Sequence, residues 1–205
     1  MVSNFHTRTA GAVSIQCDER LKVFALQMLS EAESMDKRKI AFRDGMAILH
    51  GWSPYKFKGK PGAWHIEEPD FGSVPYSHSR QDCTFTLSLL AQQFALGERL
   101  GLKPSQLNDV SCFEMILHPN CLHDLNIRAE RVSPRADRFS GWQLSSLDRA
   151  TCKADDMVTD DATLTKARPA RLRVILLPVG YVVKLRSNEI SKVFDPQKNL
   201  VYTAK

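Results

Sequence analysis

The chain has 205 residues, of which 43% are hydrophobic and 25% charged, and its formal net charge is +5 at pH 7. This length and hydrophobic content support one substantial domain or two small ones, and they exclude an intrinsically disordered chain. The cationic excess lies mostly in the second half, because residues 1–102 carry a net +1 and residues 103–205 a net +4. So dilute an excess fits an acidic protein partner and nucleic acid equally well, although nucleic acid normally binds a concentrated patch.

The first half of the chain contains three segments with helical character. Residues 14–34 repeat apolar side chains at helical spacing, which predicts an amphipathic helix. A second helix is expected from Asp36 through Met46. The third is expected over residues 79–101, where Gly101 occupies the position that ends a helix and Pro104 follows.

Residues 51–78 are rich in proline, glycine and aromatic residues, which predicts a long structured loop or an irregular hairpin. Aromatic side chains in such a segment either anchor it to the core or form a partner surface, and large aromatics dominate interface energetics. Our hypothesis for partner binding uses five of them: Trp52, Tyr55, Phe57, Trp64 and Tyr76.

From about Val110 the chain changes to short β-prone segments, several of which alternate apolar and polar residues. The predicted strands lie within residues 111–117, 125–132, 140–146, 171–177, 180–186 and 200–204. A short helix is expected behind Asp160 and Asp161, whose carboxylates favour a helix N-terminus. The predicted fold class is α+β, with N-terminal helices packed with a C-terminal, mostly antiparallel β-sheet, and with regions 1–109 and 110–205.

Four zinc-type ligands lie within residues 112–124: Cys112, His118, Cys121 and His123. Their spacing, C-x₅-H-x₂-C-x-H, differs from the usual spacings of structural zinc sites. A Cys121, His118 and Asp124 nucleophilic site would require the fold to bring the three together. An enzyme or metal-binding protein centred on residues 112–124 therefore stays an alternative, while we assign no metal, no cofactor and no catalytic residue.

Residues 166–173 form a basic segment without an acidic neighbour, which includes Arg168, Arg171 and Arg173. If residues 171–177 form a strand, Arg171 and Arg173 share one face while the apolar residues between them point inward. Such a face is either simply solvated or a cationic patch, where arginine grips carboxylates bidentately. We include the three arginines in the predicted partner-binding surface.

Cysteine usage and the N-terminal sequence bear on the compartment. The five cysteines are widely spaced without a Cys-x-x-Cys pair, and the N-terminus lacks a basic region followed by a long apolar stretch. No apolar run is long enough to span a bilayer. We therefore expect a reduced, cytoplasmic protein with no membrane segment.

Two short motifs of the second half carry a family resemblance. Residues 137–148, DRFSGWQLSSLD, contain Ser140-Gly141-Trp142, and residues 175–185, ILLPVGYVVKL, contain Leu177-Pro178-Val179-Gly180. With an acidic loop and a short helix-like segment between them, residues 130–195 resemble the immunity protein 33-like family of small bacterial domains. In that family a Ser-Gly-Trp enters a strand and a Leu-Pro-x-Gly turn feeds an apolar strand. We expect structural roles for Gly141, Trp142, Pro178 and Gly180.

The resemblance implies a binding protein that protects the producing cell. It implies that the chain neutralises a cognate toxin or effector by occluding its active site or its access to substrate. The predicted interface combines the aromatic residues of 52–76 with Arg168, Arg171 and Arg173, and the predicted partner surface is acidic. A nucleic-acid-binding module, suggested only by the net +4 of the second half, is the third alternative.

Overall fold

The computed structural model describes residues 5–10, 12–73, 77–107, 114–117, 119–147 and 157–204. It contains helices and two mixed β-sheets, which confirms the predicted α+β class. The chain divides into two compact units, Met1–Gln92 and Gln93–Lys205. The boundary between the two units lies inside the helix Thr84–Arg99.

The N-terminal unit is a sheet with two helices. In chain order its elements are β1 (Phe5–Ala10), β2 (Val13–Asp18), a 3₁₀ turn (Glu19–Leu21), α1 (Lys22–Lys37), β3 (Ala47–His50), β4 (Ser53–Lys60), β5 (Ala63–Pro69), β6 (Ser79–Arg80) and the start of α2 (Thr84–Arg99). The strand order is β1-β2-β5-β4-β3, with β6 also paired to β5. β2 and β5 run parallel, and the other named pairs are antiparallel.

Two of the helix predictions for this unit need correction. The predicted helix over residues 14–34 begins only at Lys22, because Val13–Asp18 form strand β2 with alternate side chains buried. The predicted helix from Asp36 through Met46 does not form. Lys39 adopts a φ of 58° and Gly45 a φ of 76°, so the chain leaves the helical conformation and then enters β3.

The segment 51–78 contains a β-hairpin, which was one of its two predicted forms. β4 and β5 pair from Lys56↔Glu67 to Lys60↔Ala63 around a turn with Gly62 at a φ of 86°. The predicted helix over 79–101 is confirmed as α2. The Asp82 carboxylate accepts a hydrogen bond from the Thr84 amide at 2.9 Å at its start, and Gly101, with a φ of 72°, follows its end.

The C-terminal unit has a seven-stranded sheet. After the end of α2 its elements are 3₁₀ turns at Pro104–Gln106 and Pro119–Leu122, β7 (Glu114–Leu117), β8 (Ile127–Arg131), β9 (Phe139–Ser146), β10 (Met157–Asp160), α3 (Asp161–Ala167), a 3₁₀ helix (Pro169–Val174), β11 (Val182–Arg186), β12 (Glu189–Phe194) and β13 (Leu200–Thr203). The strand order is β10-β7-β9-β8-β11-β12-β13. Within the described residues only β7 and β9 pair in parallel, so this sheet is mostly antiparallel.

One predicted strand of this unit is wrong. Residues 171–177 do not form a strand; Pro169–Val174 form a 3₁₀ helix whose Arg171, Leu172 and Val174 are buried. The helix expected behind Asp160 and Asp161 is confirmed as α3. No helix in the described part of the chain is both long enough and apolar enough to cross a membrane.

Candidate functional site

The predicted aromatic surface is not at the surface. Trp52, Tyr55, Phe57 and Trp64 are between 0% and 7% exposed. The Trp52 indole donates to the Thr86 carbonyl at 3.3 Å, and inward-facing positions of β4 carry Tyr55 and Phe57. Their role as partner-binding residues is therefore corrected to a role in the core of the N-terminal unit, and Tyr76 lies outside the described residues.

The arginines of the predicted basic patch bind backbone carbonyls and do not form an exposed patch. Arg171 is only 3% exposed, and its guanidinium donates to the carbonyls of Cys121 and Asp124. Arg168 donates to the carbonyls of Leu122 and His123, both at 3.2 Å. These contacts fasten the 3₁₀ helix to the loop before β8, so Arg171 is corrected from a partner-binding to a structural residue.

Arg173 is held in a similar way by the turn between β11 and β12. It donates to the Asn188 carbonyl at 2.6 Å and to the Glu189 carboxylate at 3.0 Å. Its side chain is 18% exposed. The expected shared face of Arg171 and Arg173 is absent because the segment is a 3₁₀ helix, in which alternate residues do not share a face.

The Cys/His cluster at 112–124 is not assembled by the described residues. Cys112 and His118 lie outside them. Cys121 is fully buried, and its thiol donates to the Leu144 carbonyl at 3.4 Å, while His123 is exposed. In the described part of the chain no group of three or more His, Cys, Asp or Glu side chains is placed to hold a metal ion.

The two motifs that carry the family resemblance meet in the core of the C-terminal unit. The Trp142 indole on β9 donates to the Ile175 carbonyl at 2.8 Å. Arg131 on β8, which pairs with Trp142, donates to the Leu177 carbonyl at 2.6 Å, and its own carbonyl accepts from the Gly180 amide at 2.7 Å. The Ser-Gly-Trp strand and the Leu-Pro-x-Gly turn are thus joined through Arg131.

Both motif glycines occupy positions that exclude a side chain. Gly141 has a φ of 81°, and a Cβ there would lie 2.2 Å from the Val132 carbonyl oxygen. Gly180 has a φ of 93°, and its Cβ would lie 2.8 Å from the Cβ of Pro196. Trp142 is buried and Pro178 is half-buried. All four motif residues therefore have positions that suit a structural role in the fold.

A row of cations crosses the outer face of the C-terminal sheet. Arg128 on β8 lies directly opposite Lys184 on β11, and Lys184 lies directly opposite Lys192 on β12. Directly opposite side chains point to the same face with Cβ atoms about 4.5–5.5 Å apart. We call these three residues, Arg128, Lys184 and Lys192, the basic row.

The core lies on the other face of the same strands. The positions that alternate with the basic row, Ala129, Leu144, Val183 and Val193, are buried and lie opposite one another across the sheet. The basic row therefore faces away from this core, and Lys192 is exposed. Like charges placed directly opposite destabilise a sheet in the free protein, so the arrangement is not explained by strand pairing alone.

Little negative charge offsets the basic row. Glu130 is shared, since it lies 2.5 Å from the Arg128 guanidinium and 3.4 Å from the Lys198 ammonium. The Lys184 ammonium lies 5.4 Å from the centre of the Phe194 ring, a cation–π contact, and it forms no ion pair with any residue that the structure describes. Lys192 has no ion pair within the described residues, while the exposed Arg186 on β11 lies directly opposite Glu189 on β12.

Sequence reasoning missed Lys184 and Lys192, although a signal for each was present. Lys184 stands between the apolar Val183 and Leu185, which places it on the face opposite theirs, and Lys192 precedes the buried Val193. Their alignment with Arg128 depends on β11 pairing with β8, and the intervening β9 and β10 lie between them in the chain. A single sequence does not reveal that pairing.

The N-terminal unit contains a buried carboxylate. The Glu68 side chain on β5 is fully buried and accepts from the Thr86 amide at 2.8 Å, from the Thr86 hydroxyl at 2.5 Å and from the Arg80 Nε at 2.6 Å. Burial raises the pKa of Glu68, opposed by the hydrogen bonds from Thr86 and the charge of Arg80. Because Thr86 lies in the first turn of α2, Glu68 caps that helix.

Two neighbours of Glu68 are equally enclosed. Burial raises the pKa values of the Cys83 thiol and the Tyr55 hydroxyl well above their usual range. Both side chains are fully buried, so this cluster offers no route for a substrate. Its chemistry is that of a helix anchor and not of an active site.

A cleft of about 510 Å³ opens beside the C-terminal end of α1. Its walls are mostly apolar and include Phe42 and Trp64, while its rim carries Glu33, Asp36 and Lys37. With both signs of charge on the rim, the cleft does not specify the charge of a ligand. The basic row therefore remains the surface whose chemistry points to one class of partner.

Comparisons with known proteins found no relative of this chain. No protein-family model matches the chain, and neither a curated protein nor a solved structure matches it.

Proposed function

We propose that the chain is an immunity-type binding protein that neutralises a cognate toxin in the cytoplasm by covering its active site or its access to substrate. The observation that carries the proposal is the basic row, Arg128, Lys184 and Lys192, on the outer face of the C-terminal sheet. Three cations held opposite one another by strand pairing repel each other until an acidic surface approaches. The proposed partner surface is therefore acidic, as in the sequence-based hypothesis, but it meets a different part of the chain.

The family resemblance supports the same class of function. Its two motifs pack against each other through Trp142, Ile175 and Arg131, in the same unit that carries the basic row. Arg131 and Arg128 lie on the same strand, β8, with Arg131 bound into the core and Arg128 on the outer face. The motifs thus make a rigid support for the proposed binding face, and rigid support lowers the entropy lost on association.

The experiment pairs the protein with the product of the reading frame next to its own gene. Co-expression is expected to rescue cells from that product, and calorimetry is expected to show a stoichiometric complex. In the Lys184→Glu/Lys192→Glu double variant we expect Kd to rise about tenfold or more and protection to fall, because a desolvated charge contact contributes about 1.5 kcal/mol or more. Higher salt is expected to weaken the wild-type complex more than the variant complex.

A matched control reverses the same number of charges elsewhere. Lys22 and Lys103 are exposed and lie outside the sheet, so Lys22→Glu/Lys103→Glu is expected to leave Kd and protection unchanged. An equal loss in both double variants would show only an effect of net charge and would contradict the proposal. Salt-sensitive retention on DNA or RNA that Lys184→Glu/Lys192→Glu abolishes, without any toxin complex, would assign the basic row to a nucleic acid.

A further inference from the structure

The outer face of the C-terminal sheet contains an apolar row beside the basic row. Val182 on β11 lies directly opposite Phe194 on β12, and Phe194 lies directly opposite Leu200 on β13. The pairing of β12 with β13 shifts register at this point, so Val201 is the extra residue of a β-bulge and Leu200 is the partner of Phe194. Because directly opposite residues share a face, Val182, Phe194 and Leu200 form a second row across the sheet.

The apolar row lies on the same face as the basic row. On β11, Val182 lies two residues before Lys184. On β12, Phe194 lies two residues after Lys192. Alternate residues of a strand point to one face and lie about 7 Å apart, so the basic row runs alongside the apolar row. The contact of the Lys184 ammonium with the Phe194 ring, at 5.4 Å, joins the two rows.

A further cation lies on the other side of the apolar row. Lys198, in the turn between β12 and β13, reaches the Glu130 carboxylate on β8 at 3.4 Å. Glu130 lies directly opposite Val182, so this ion pair lies beside the buried end of the apolar row. Phe194 is half-buried and Leu200 is 51% exposed, so these two side chains are the accessible part of the row. We call Phe194 and Leu200 the apolar patch.

The charges around the apolar patch specify the chemistry of its occupant. A partner's apolar side chain that packs on Phe194 and Leu200 removes apolar area from water, and a few such buried contacts supply most of the affinity of an interface. The residues beside that side chain approach Lys192 on one side and Lys198 on the other. Carboxylates are favoured at both positions, because opposite charges attract there and like charges would repel.

A nucleic acid or a second copy of the chain fits the apolar patch less well. Single-stranded nucleic acids bind by stacking bases on exposed aromatic rings. The Phe194 ring is already approached by the Lys184 ammonium, and its exposed neighbour Leu200 is aliphatic. A symmetric dimer through this face would bring one basic row against another. An acidic protein segment therefore matches both the charges and the apolar side chains.

We infer that the apolar patch receives an acidic segment of the protein partner in which one large apolar residue is flanked on both sides by aspartate or glutamate. This inference rests on the proposed function and adds the side chains of the partner that bind. Phe194 and Leu200 cover the apolar residue, and the surrounding lysines bind the flanking carboxylates.

The test uses synthetic peptides, so it does not require the toxin. One peptide has a central leucine with two glutamates on each side, a second has serine in place of the leucine, and a third has lysines in place of the glutamates. Two-dimensional NMR of the isotope-labelled protein at millimolar peptide is expected to show shifts of the Lys192, Phe194 and Leu200 amides with the leucine–glutamate peptide. The serine peptide should bind about tenfold more weakly, because no leucine is buried. The lysine peptide should not bind.

Variants of the protein separate apolar contact from general charge attraction. Leu200→Ser is expected to weaken binding of the leucine–glutamate peptide about fivefold, while the affinity for the serine peptide stays the same. Leu26→Ser is the matched control, because Leu26 lies on α1 and is 46% exposed. It should leave both affinities unchanged. Lys198→Gln removes a cation and no apolar contact, so it should weaken both glutamate peptides. Circular dichroism and thermal melting establish that the variants are folded.

Three results would overturn the inference: no binding of the leucine–glutamate peptide, equal affinity for the leucine and serine peptides, or shifts confined to amides outside the outer face. Tighter binding of a single-stranded oligonucleotide at the same amides would assign the apolar patch to nucleic acid and also overturn it. A dimer in analytical ultracentrifugation that Leu200→Ser abolishes would do the same in favour of a second copy.

Failure of this inference is distinguishable from failure of the proposed function. If the toxin is neutralised through the basic row while the leucine–glutamate peptide does not bind, only the inference about the apolar patch fails. If that peptide binds as expected but the toxin is not neutralised, only the proposed function fails.

Discussion

The Trp142 indole donates a hydrogen bond to the Ile175 carbonyl at 2.8 Å, and this contact joins strand β9 to the chain that follows the 3₁₀ helix. The same carbonyl accepts from the Arg131 guanidinium at 3.3 Å. Among the described residues, 175–177 pair with no strand, so side-chain donors satisfy the carbonyls of Ile175 and Leu177. The stability of the C-terminal unit should accordingly depend on this small set of contacts.

Replacing Trp142 tests the contact directly. Trp142→Phe keeps an aromatic ring but removes the indole donor, and it should lower the free energy of unfolding by about 1–3 kcal/mol, the range for a buried hydrogen-bond partner lost. Trp142→Ala should lower it by about 3–5 kcal/mol because a cavity is added. Urea denaturation measures both. Ser145→Ala on the outer face of the same strand is the control, with an expected change of about 0.5 kcal/mol or less.

Replacing Arg131 should lower the free energy of unfolding more than replacing Arg128, although both are arginines on β8. Arg131 is buried, its pKa is lowered by that burial, and it donates to the carbonyls of Ser140, Ile175 and Leu177. Arg131→Met should destabilise by about 2 kcal/mol or more, since several buried carbonyls lose their donor. Arg128→Met removes only a surface ion pair and should change stability by about 1 kcal/mol or less. Similar losses for the two variants in urea melts would contradict this assignment.

Gly141 and Gly101 allow backbone strain to be separated from steric overlap. Both have a positive φ, 81° and 72°, but a Cβ at Gly141 would lie 2.2 Å from the Val132 carbonyl oxygen, while at Gly101 nothing lies within 4 Å. Gly101→Ala should cost about 1–2 kcal/mol, the strain of a left-handed alanine. Gly141→Ala should cost clearly more, or prevent folding of the unit, because backbone must move. Thermal melting of the two variants in parallel provides the comparison.

Glu68 should give stability a pH dependence of known sign. Its pKa is raised by burial, so its contribution is fully present below the unfolded-state pKa and is lost as pH rises through the folded-state pKa. Glu68→Gln resembles the protonated form at every pH. Wild type should therefore lose stability relative to Glu68→Gln as pH rises through that range, as measured by urea denaturation at a series of pH values. A difference that is constant with pH, or that changes in the opposite direction, would mean that Arg80 and Thr86 outweigh the burial.

Tyr55 provides a complementary test within the same core. Its hydroxyl is buried near Thr86 but makes no hydrogen bond of normal geometry within the described residues. Tyr55→Phe should therefore leave the free energy of unfolding unchanged or raise it by about 1 kcal/mol, because an unsatisfied buried hydroxyl is removed. Thr86→Val, which removes a hydroxyl that donates to Glu68, should instead destabilise the protein. The two variants are compared in the same urea titration.

Part of the fold follows from local pattern. The apolar period of residues 79–101 and the Gly101 that follows specify α2, and the alternation within 125–132, 140–146 and 180–186 specifies β8, β9 and β11. These features depend on neighbours three or four residues away, or on every second residue, so a single sequence contains them. The closely packed glycine at 141 and the buried tryptophan at 142 belong to the same category.

Other parts depend on distant contacts. Residues 171–177 begin with arginines that alternate with apolar side chains, a pattern that fits a strand. In the structure Arg171 donates to the carbonyls of Cys121 and Asp124, and Pro169–Val174 form a 3₁₀ helix. The aromatic residues of 52–64 fit an exposed interface equally well, until the pairing of β4 with β5 turns them inward. In both cases the local pattern is compatible with two structures, and burial decides between them.

The sequence by itself determined the α+β class, the principal helix α2, most strands of the C-terminal sheet and the architectural role of the Gly141-Trp142 pair. Only the tertiary structure decided which charges face solvent together. Arg128, Lys184 and Lys192 belong to separate strands, and their alignment results from the register of β8, β11 and β12. Register is fixed by the packing of the opposite face, where Ala129, Val183 and Val193 are buried, and that long-range packing is not written in any one segment of the chain.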